Sequence, residues 1–143
     1  MARYSGTVRT SRPPEVVFDY VADFSSVAEW DPGVKEAYPV NSGGVRRGAQ
    51  FKVISRFLGR DVPLTYRTVE LDRPHRVVLQ AISDTVVSTD TISFRPLPDG
   101  GTLVTYDADL RLKGALRLAD LPMRLIFRRI GDRARDGLEE ALA

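Results

Sequence analysis

The sequence predicts an α+β fold: a curved antiparallel β-sheet of about six to seven strands gripping a long C-terminal α-helix, with two short helices after the first strand. Three observations lead there. From Leu116 to Leu142, the residues Ala119, Met123, Phe127, Ile130, Ala134, Leu138 and Ala141 recur at three- and four-residue steps, the helical period. From Gly44 to Leu112 the apolar period is two, broken by turn residues. Between the first strand and this region lie two short helical signals bounded by prolines. A helix with one apolar stripe must bury it against something, and here the strands offer the surface. A sheet curled round a helix encloses a space, so a container is expected.

The elements follow in order. Arg3–Thr10 alternates, with Tyr4, Gly6 and Val8 on one side, and reads as a strand. Ser11-Arg12-Pro13-Pro14-Glu15 starts a helix, because proline is tolerated where N–H groups lack intrahelical partners and Glu15 suits the positive helix end. Pro14, Val17, Phe18 and Val21 form its apolar face. Asp23 or Ser25 can cap a second short helix carrying Phe24, Val27, Ala28 and Trp30, which Asp31-Pro32-Gly33 ends. Strands are then expected at Val34–Val40, Gln50–Leu58, Val62–Leu71, Val77–Ile82, Thr85–Arg95 and Val104–Leu112. Asn41-Ser42-Gly43-Gly44 is expected to make the first turn between them, and Asp72-Arg73-Pro74-His75 is also turn chemistry. The last strand alternates most cleanly, one face apolar and one polar, as in an antiparallel sheet covered on one side. Asp120-Leu121-Pro122 predicts a restart or kink at the head of the long helix.

With 143 residues the chain fits one domain, 1–143, large enough to bury a core. Lys+Arg 21 and Asp+Glu 19 are mixed along it, so no clustered basic surface marks a nucleic-acid partner. With Cys 0, disulfides, thiolate nucleophiles and cysteine metal sites are excluded. No run approaches the roughly 18 apolar residues of a membrane span, and Met1–Val8 lacks the apolar core of a signal peptide. A cytoplasmic location is the expectation. The arginines of the last helix, with Arg128–Asp132 and Arg135–Glu139 at four-residue spacing, read as a solvated, self-neutralised face rather than a membrane or nucleic-acid surface.

No phosphate loop, dinucleotide-binding glycine turn or zinc-binding histidine pair is present. The one histidine, His75, is expected in an exposed turn, and neither a metal nor a cofactor is expected. Polar groups that act must therefore face the enclosed space. Ser88 and Asp90 share parity with Val86, Ile92 and Phe94, Tyr106 shares it with Val104 and Ala108, and Tyr66 with Leu64. A bulge between Tyr66 and Leu71 would reverse that strand's parity. An inward Asp90 either pairs with an arginine or tyrosine hydroxyl, or keeps a raised pKa and serves as acid or base. Phe51, Leu64, Ile92 and Ala108 complete the expected sheet lining, and Met123 and Phe127 the roof. Trp30 is either a core anchor or the mouth. Gly137 costs about 1 kcal/mol against alanine in a helix, and either permits close helix–sheet approach or marks the nearby helix end.

Four stretches carry a resemblance: Arg12–Phe24 (RPPEVVFDYVADF), Glu29–Val34 (EWDPGV), Tyr66–Val77 (YRTVELDRPHRV) and Pro98–Tyr106 (PDGGTLVTY). Together with the element order they resemble the polyketide cyclase/dehydrase-like proteins of the START and Bet v 1-like helix-grip superfamily, also called SRPBCC. The resemblance covers essentially the whole chain. It implies a deep apolar cavity between sheet and terminal helix, and a small hydrophobic ligand such as a lipid, polyketide or aromatic metabolite. It equally admits a cyclase or dehydratase with Asp90 as acid or base, or a partner-binding module of the co-chaperone kind. The last would need an exposed apolar patch, which the strand alternation argues against. Some cyclases resembling this fold place a Trp-Tyr-Arg set in the pocket; Trp30, Tyr66 and Tyr106 are available here, but Arg56 has the polar parity of its strand.

Overall fold

The computed structural model describes residues 2–143, and the side chains of all of these except residues 115 and 118–121. Strand β1 (Ala2–Thr10) leads into helix α1 (Pro14–Ala22), a 3₁₀ turn (Phe24–Ser26) and helix α2 (Val27–Trp30). Six strands follow: β2 (Val34–Pro39), β3 (Gln50–Phe57), β4 (Arg60–Asp72), β5 (Arg76–Ile82), β6 (Val86–Pro96) and β7 (Thr102–Leu112). A 3₁₀ segment (Gly114–Ala119) then precedes helix α3 (Asp120–Ala141). All strands pair antiparallel in one seven-stranded sheet, in the order β1-β7-β6-β5-β4-β3-β2. The first strand thus joins the last, and the expected α+β architecture is observed.

Local chemistry sets the boundaries. Pro13 and Pro14 open α1, and the Asp23 carboxylate receives the Ser25 amide at 3.3 Å and its hydroxyl at 2.6 Å, starting the next turn. The Asp31 carboxylate accepts the Gly33 amide at 2.8 Å, closing α2 and turning the chain into β2. Proline at position 122 lies in the first turn of α3, where it displaces no helical hydrogen bond. The expected restart is therefore real, and the helical run from Leu116 is a 3₁₀ segment followed by an α-helix.

One difference concerns the β2–β3 connection. Instead of a tight turn at 41–44, it runs from residue 40 to 49. Asn41 organises it, accepting the Gln50 amide at 2.9 Å and donating to the Gly48 carbonyl at 3.3 Å. Positive φ values at Gly43, Gly44 and Gly48 let the chain loop outward before it pairs again.

The core lies between the sheet's inner face and the helices, and includes Val17, Phe18, Val21, Phe24, Trp30, Leu79, Ile92, Val104, Ala134, Leu138 and Leu142. Phe18 packs edge-on against Phe94, ring centres 5.2 Å apart. The C-terminal half of α3 is the firmly seated half. Ala134, Leu138 and Leu142 are buried, and the Thr10 hydroxyl donates to the Leu142 carbonyl at 2.7 Å. Further up the stripe, Met123, Phe127 and Ile130 are only half-buried, while the expected position of Ala119 falls outside the described side chains.

Gly137 explains itself at this seam. A Cβ there would fall on the Trp30 carbonyl oxygen. Of the two readings, close approach is the one observed, but toward α2 rather than the sheet. Among the described residues, no helix is long and apolar enough to cross a membrane.

Candidate functional site

Cross-strand register assembles a polar group on the inner face of the sheet. Phe51 stands opposite Tyr66, Tyr66 opposite Ala81, Ala81 opposite Ser88, and Ser88 opposite Leu110. One row along, Thr68 faces Leu79, Leu79 faces Asp90, Asp90 faces Ala108, and Ala108 faces Tyr4. The β4 irregularity falls between Thr68 and Glu70, beyond Tyr66, so both Tyr66 and Leu64 keep the inward parity. Ala81 is small enough for Tyr66 to lie across it, and its hydroxyl meets the Ser88 hydroxyl at 2.8 Å. Ala108 leaves comparable room beside Asp90.

Aromatic rings fix the walls. Phe24 packs on Tyr66 with ring centres 5.2 Å apart, and also contacts Phe51 at 6.4 Å. Trp30 meets Tyr106 edge-on at 5.8 Å, and Tyr4 meets Tyr106 at 6.2 Å. Trp30 is thus a buried anchor whose ring packs on a tyrosine of the group, and its indole N–H donates to the Ser26 hydroxyl at 3.3 Å.

Asp90 is the unusual member. It is 6% exposed, yet its carboxyl makes no hydrogen bond to any described residue. Among the described residues the one sealed side-chain polar atom without a hydrogen-bond partner is Thr68 Oγ1. Asp90 is not sealed in that way, so its oxygens border open space. Burial pushes its pKa from 3.8 to about 7, with the negative charge of Asp31 adding to the effect. Tyr66 and Tyr106 are both pushed up, first by burial and then by Asp90, so their phenols remain protonated donors.

Asp31 is not among the expected site residues. It reads as a helix stop before proline, and it is one; but the same turn brings its carboxylate close enough to raise Asp90, Tyr66 and Tyr106. Burial raises Asp31 itself to about 6, opposed by the hydrogen bond from Gly33. The one available signal is its position directly after Trp30, on the helix that packs inward.

The remaining expected residues fall as follows. Phe51, Ile92 and Ala108 are buried in the core around the polar group, and Leu64 is half-buried at its edge. Met123 and Phe127 stand half-buried on the loosely covered half of α3. Arg56 faces solvent and pairs with Asp61 at 3.7 Å, so no arginine joins the group from β3. His75 is exposed, and among the described residues no cluster of His, Asp or Glu is arranged to hold a metal ion.

Two concavities flank the polar group without including Tyr66, Ser88, Asp90 or Tyr106. One of about 440 Å³ lies between α2 and the end of α3, lined by Trp30, Asp31, Pro32, Val34, Gly137 and Ala141. The other, about 150 Å³, lies under the 40–49 connection beside Asp23, Ala49 and Phe51. Trp30 and Asp31 therefore form a wall with the outer groove on one side and the polar group on the other.

A seven-stranded curl closed by a long helix, with polar groups on its inner face, defines a helix-grip protein. The family model described as polyketide cyclase / dehydrase and lipid transport matches residues 1–143, and the chain belongs to that family. Among solved structures it is similar to a START superfamily protein from Mycobacterium smegmatis (TM-score 0.75, 17% identity, 99% of this chain and 97% of that one). It is also similar to a protein of Thermus thermophilus (0.69, 17%, 99% and 99%) and to Ara h 8.0201 (0.67, 13%, 98% and 96%). These likenesses establish the fold. No curated protein sequence matches the chain significantly.

Proposed function

We propose that this chain, working as a single cytoplasmic domain, binds a small, largely apolar molecule bearing one hydrogen-bonding group. The molecule lies between the sheet and the loosely covered half of α3, against Tyr66, Ser88, Asp90 and Tyr106. The observation that carries this is the Asp90 carboxyl, buried without a hydrogen-bond partner among the described residues and bordering open space. A buried polar group left unpaired costs stability unless something else satisfies it. A ligand hydroxyl or carbonyl does so, and the family description, which includes lipid transport, is consistent with the reading. Burial of the ligand's apolar area supplies the affinity, at roughly 25 cal/mol per Å².

One observation favours a second reading, a cyclase or dehydratase. With a pKa raised to about 7, Asp90 is divided between acid and base near neutrality, which suits proton transfer. As base it would take a proton from carbon next to a carbonyl; the two phenols would hold the resulting enolate oxygen; as acid it would protonate a departing hydroxyl.

Native mass spectrometry of the purified chain, followed by extraction, tests binding directly: a reproducible extra mass of a few hundred daltons (order of magnitude) is expected. Asp90→Asn then separates the readings. A binding protein loses affinity modestly, whereas an enzyme keeps its substrate and loses turnover. A clean apo mass together with no uptake of any apolar compound by the wild type would refute the binding reading.

A further inference from the structure

Four large apolar side chains stand in solvent at one end of the molecule: Leu58 (74% exposed), Leu125 (72%), Ile82 (66%) and Leu116 (44%). Antiparallel topology decides that they share this end. The β3–β4 and β5–β6 connections, the exit from β7 and the head of α3 all lie opposite the connections at 40–49, 73–75 and 97–101. The strand alternation argues against an exposed apolar patch; Leu58 and Ile82 escape that argument on a turn and at a strand end, and Leu116 and Leu125 because they lie on the 3₁₀ segment and on α3.

Leu58 is the informative one. With Gly59 it forms the two-residue connection between the paired residues Phe57 and Arg60. Both have positive φ, 51° and 78°, the pattern that favours Asn-Gly. A leucine is strained in that left-handed conformation, and most of its side chain is in water. Neither the turn nor the core gains from leucine here, so its benefit lies outside the fold.

Cations are interleaved with these side chains. Arg60 follows the Leu58–Gly59 turn, Lys113 and Arg117 flank Leu116, and Arg124 and Arg128 flank Leu125. The four arginines are exposed, and Lys113 donates to the Ser83 carbonyl at 2.8 Å, beside Ile82. Opposing them are Asp84, exposed, and Asp61, held by Lys35 at 3.0 Å and Arg56 at 3.7 Å. Asp120 adds one more negative charge in sequence, its side chain outside the described residues. The balance at this end is positive.

We propose that this end of the molecule docks on an anionic lipid bilayer surface. The four apolar side chains enter the interfacial layer while the arginines meet lipid phosphates. The arrangement favours a bilayer over a protein partner. The prongs come from separate segments with charges between them, and a fluid interface accepts each prong without matching pockets. The arginines of α3 alone read as a solvated face; the hairpin tips that change this reading are distant in sequence. Docking does not depend on what the interior holds, and vesicle binding without ligand uptake, or the reverse, separates the two proposals.

The test is sedimentation of the full chain with vesicles of phosphatidylcholine alone and of phosphatidylcholine with about one-third phosphatidylglycerol. Binding is expected to the mixed vesicles, and to weaken at least about tenfold on the neutral ones and at high salt. Leu58→Asn is expected to weaken binding about tenfold while raising the melting temperature, because asparagine accepts the left-handed conformation. Those opposite movements distinguish a docking residue from a structural one. Leu58→Asn combined with Leu125→Gln is expected to remove binding. No binding to the mixed vesicles, binding indifferent to both substitutions, or a stoichiometric protein complex through these leucines in place of vesicle binding would each overturn the proposal.

Discussion

Asp90→Asn tests the central claim about the interior through stability as well as function. Asparagine has the shape of the protonated acid and cannot ionise, so it isolates the cost of charge at this position. The folded-state pKa of Asp90 lies near 7, above its ordinary 3.8, because burial penalises the carboxylate. In the native protein the acid form is therefore favoured, and its contribution is fully present below about pH 4, where both folded and unfolded chains are protonated. It is lost as pH rises to about 7, because there the unfolded chain binds fewer protons than the folded one. The difference corresponds to about 4 kcal/mol, a large share of a domain's stability. Urea unfolding of wild type and variant across that range is the assay. The variant should match wild type near pH 4 and exceed it by a few kcal/mol near pH 8, at the cost of ligand binding or turnover. Carboxylates common to both proteins, such as Asp19 paired with Arg73 at 2.8 Å, cancel in the difference. A variant no more stable than wild type at high pH would mean that Asp90 is hydrated and paired in solution, and the reasoning from an unpartnered buried carboxyl would fail.

Other consequences follow from single contacts. Gly137→Ala gains about 1 kcal/mol of helix propensity but places a Cβ on the Trp30 carbonyl, which cannot swing aside; a net loss of about 1–3 kcal/mol is expected by thermal melting, with altered emission from Trp30. Thr68→Val replaces a sealed hydroxyl without a partner by a methyl group, and equilibrium unfolding should show a gain of up to about 1 kcal/mol. Tyr66→Phe removes the 2.8 Å contact to Ser88 and should cost about 1–2 kcal/mol without changing the spectroscopic signature of the fold.

Much of the architecture was legible because it rests on local periodicity. The seven strands, the two short helices and the α3 stripe follow from alternation, helical spacing and proline-glycine punctuation, each a property of neighbours in the chain. That Ser88 and Asp90 share a face with Ile92 and Phe94, and Tyr106 with Val104, was legible for the same reason, since a strand's faces alternate without regard to its partners. Which way Tyr66 and Asp90 point was not, because it depends on where the β4 irregularity falls and on which face the helices cover. The β2–β3 connection was not, because glycines permit a tight turn and a wide loop alike, and Asn41 chooses through contacts with Gln50 and Gly48.

Asp31 and the exposed end mark the other limit. In sequence, Asp31 reads as a helix stop before a proline, with only its place after Trp30 to set it apart; the packing of α2 against Tyr106 and α3 brings its charge beside Asp90. Leu58, Ile82, Leu116 and Leu125 are scattered along the chain; antiparallel pairing brings the first two to one end, and the seating of α3 along β1 brings the other two there. Amino-acid order by itself determined which elements form and which side of each is apolar, because those depend on backbone geometry repeated every two or 3.6 residues. Tertiary structure alone decided which charges meet and which surfaces add together, because Coulomb interactions and burial depend on distance in space.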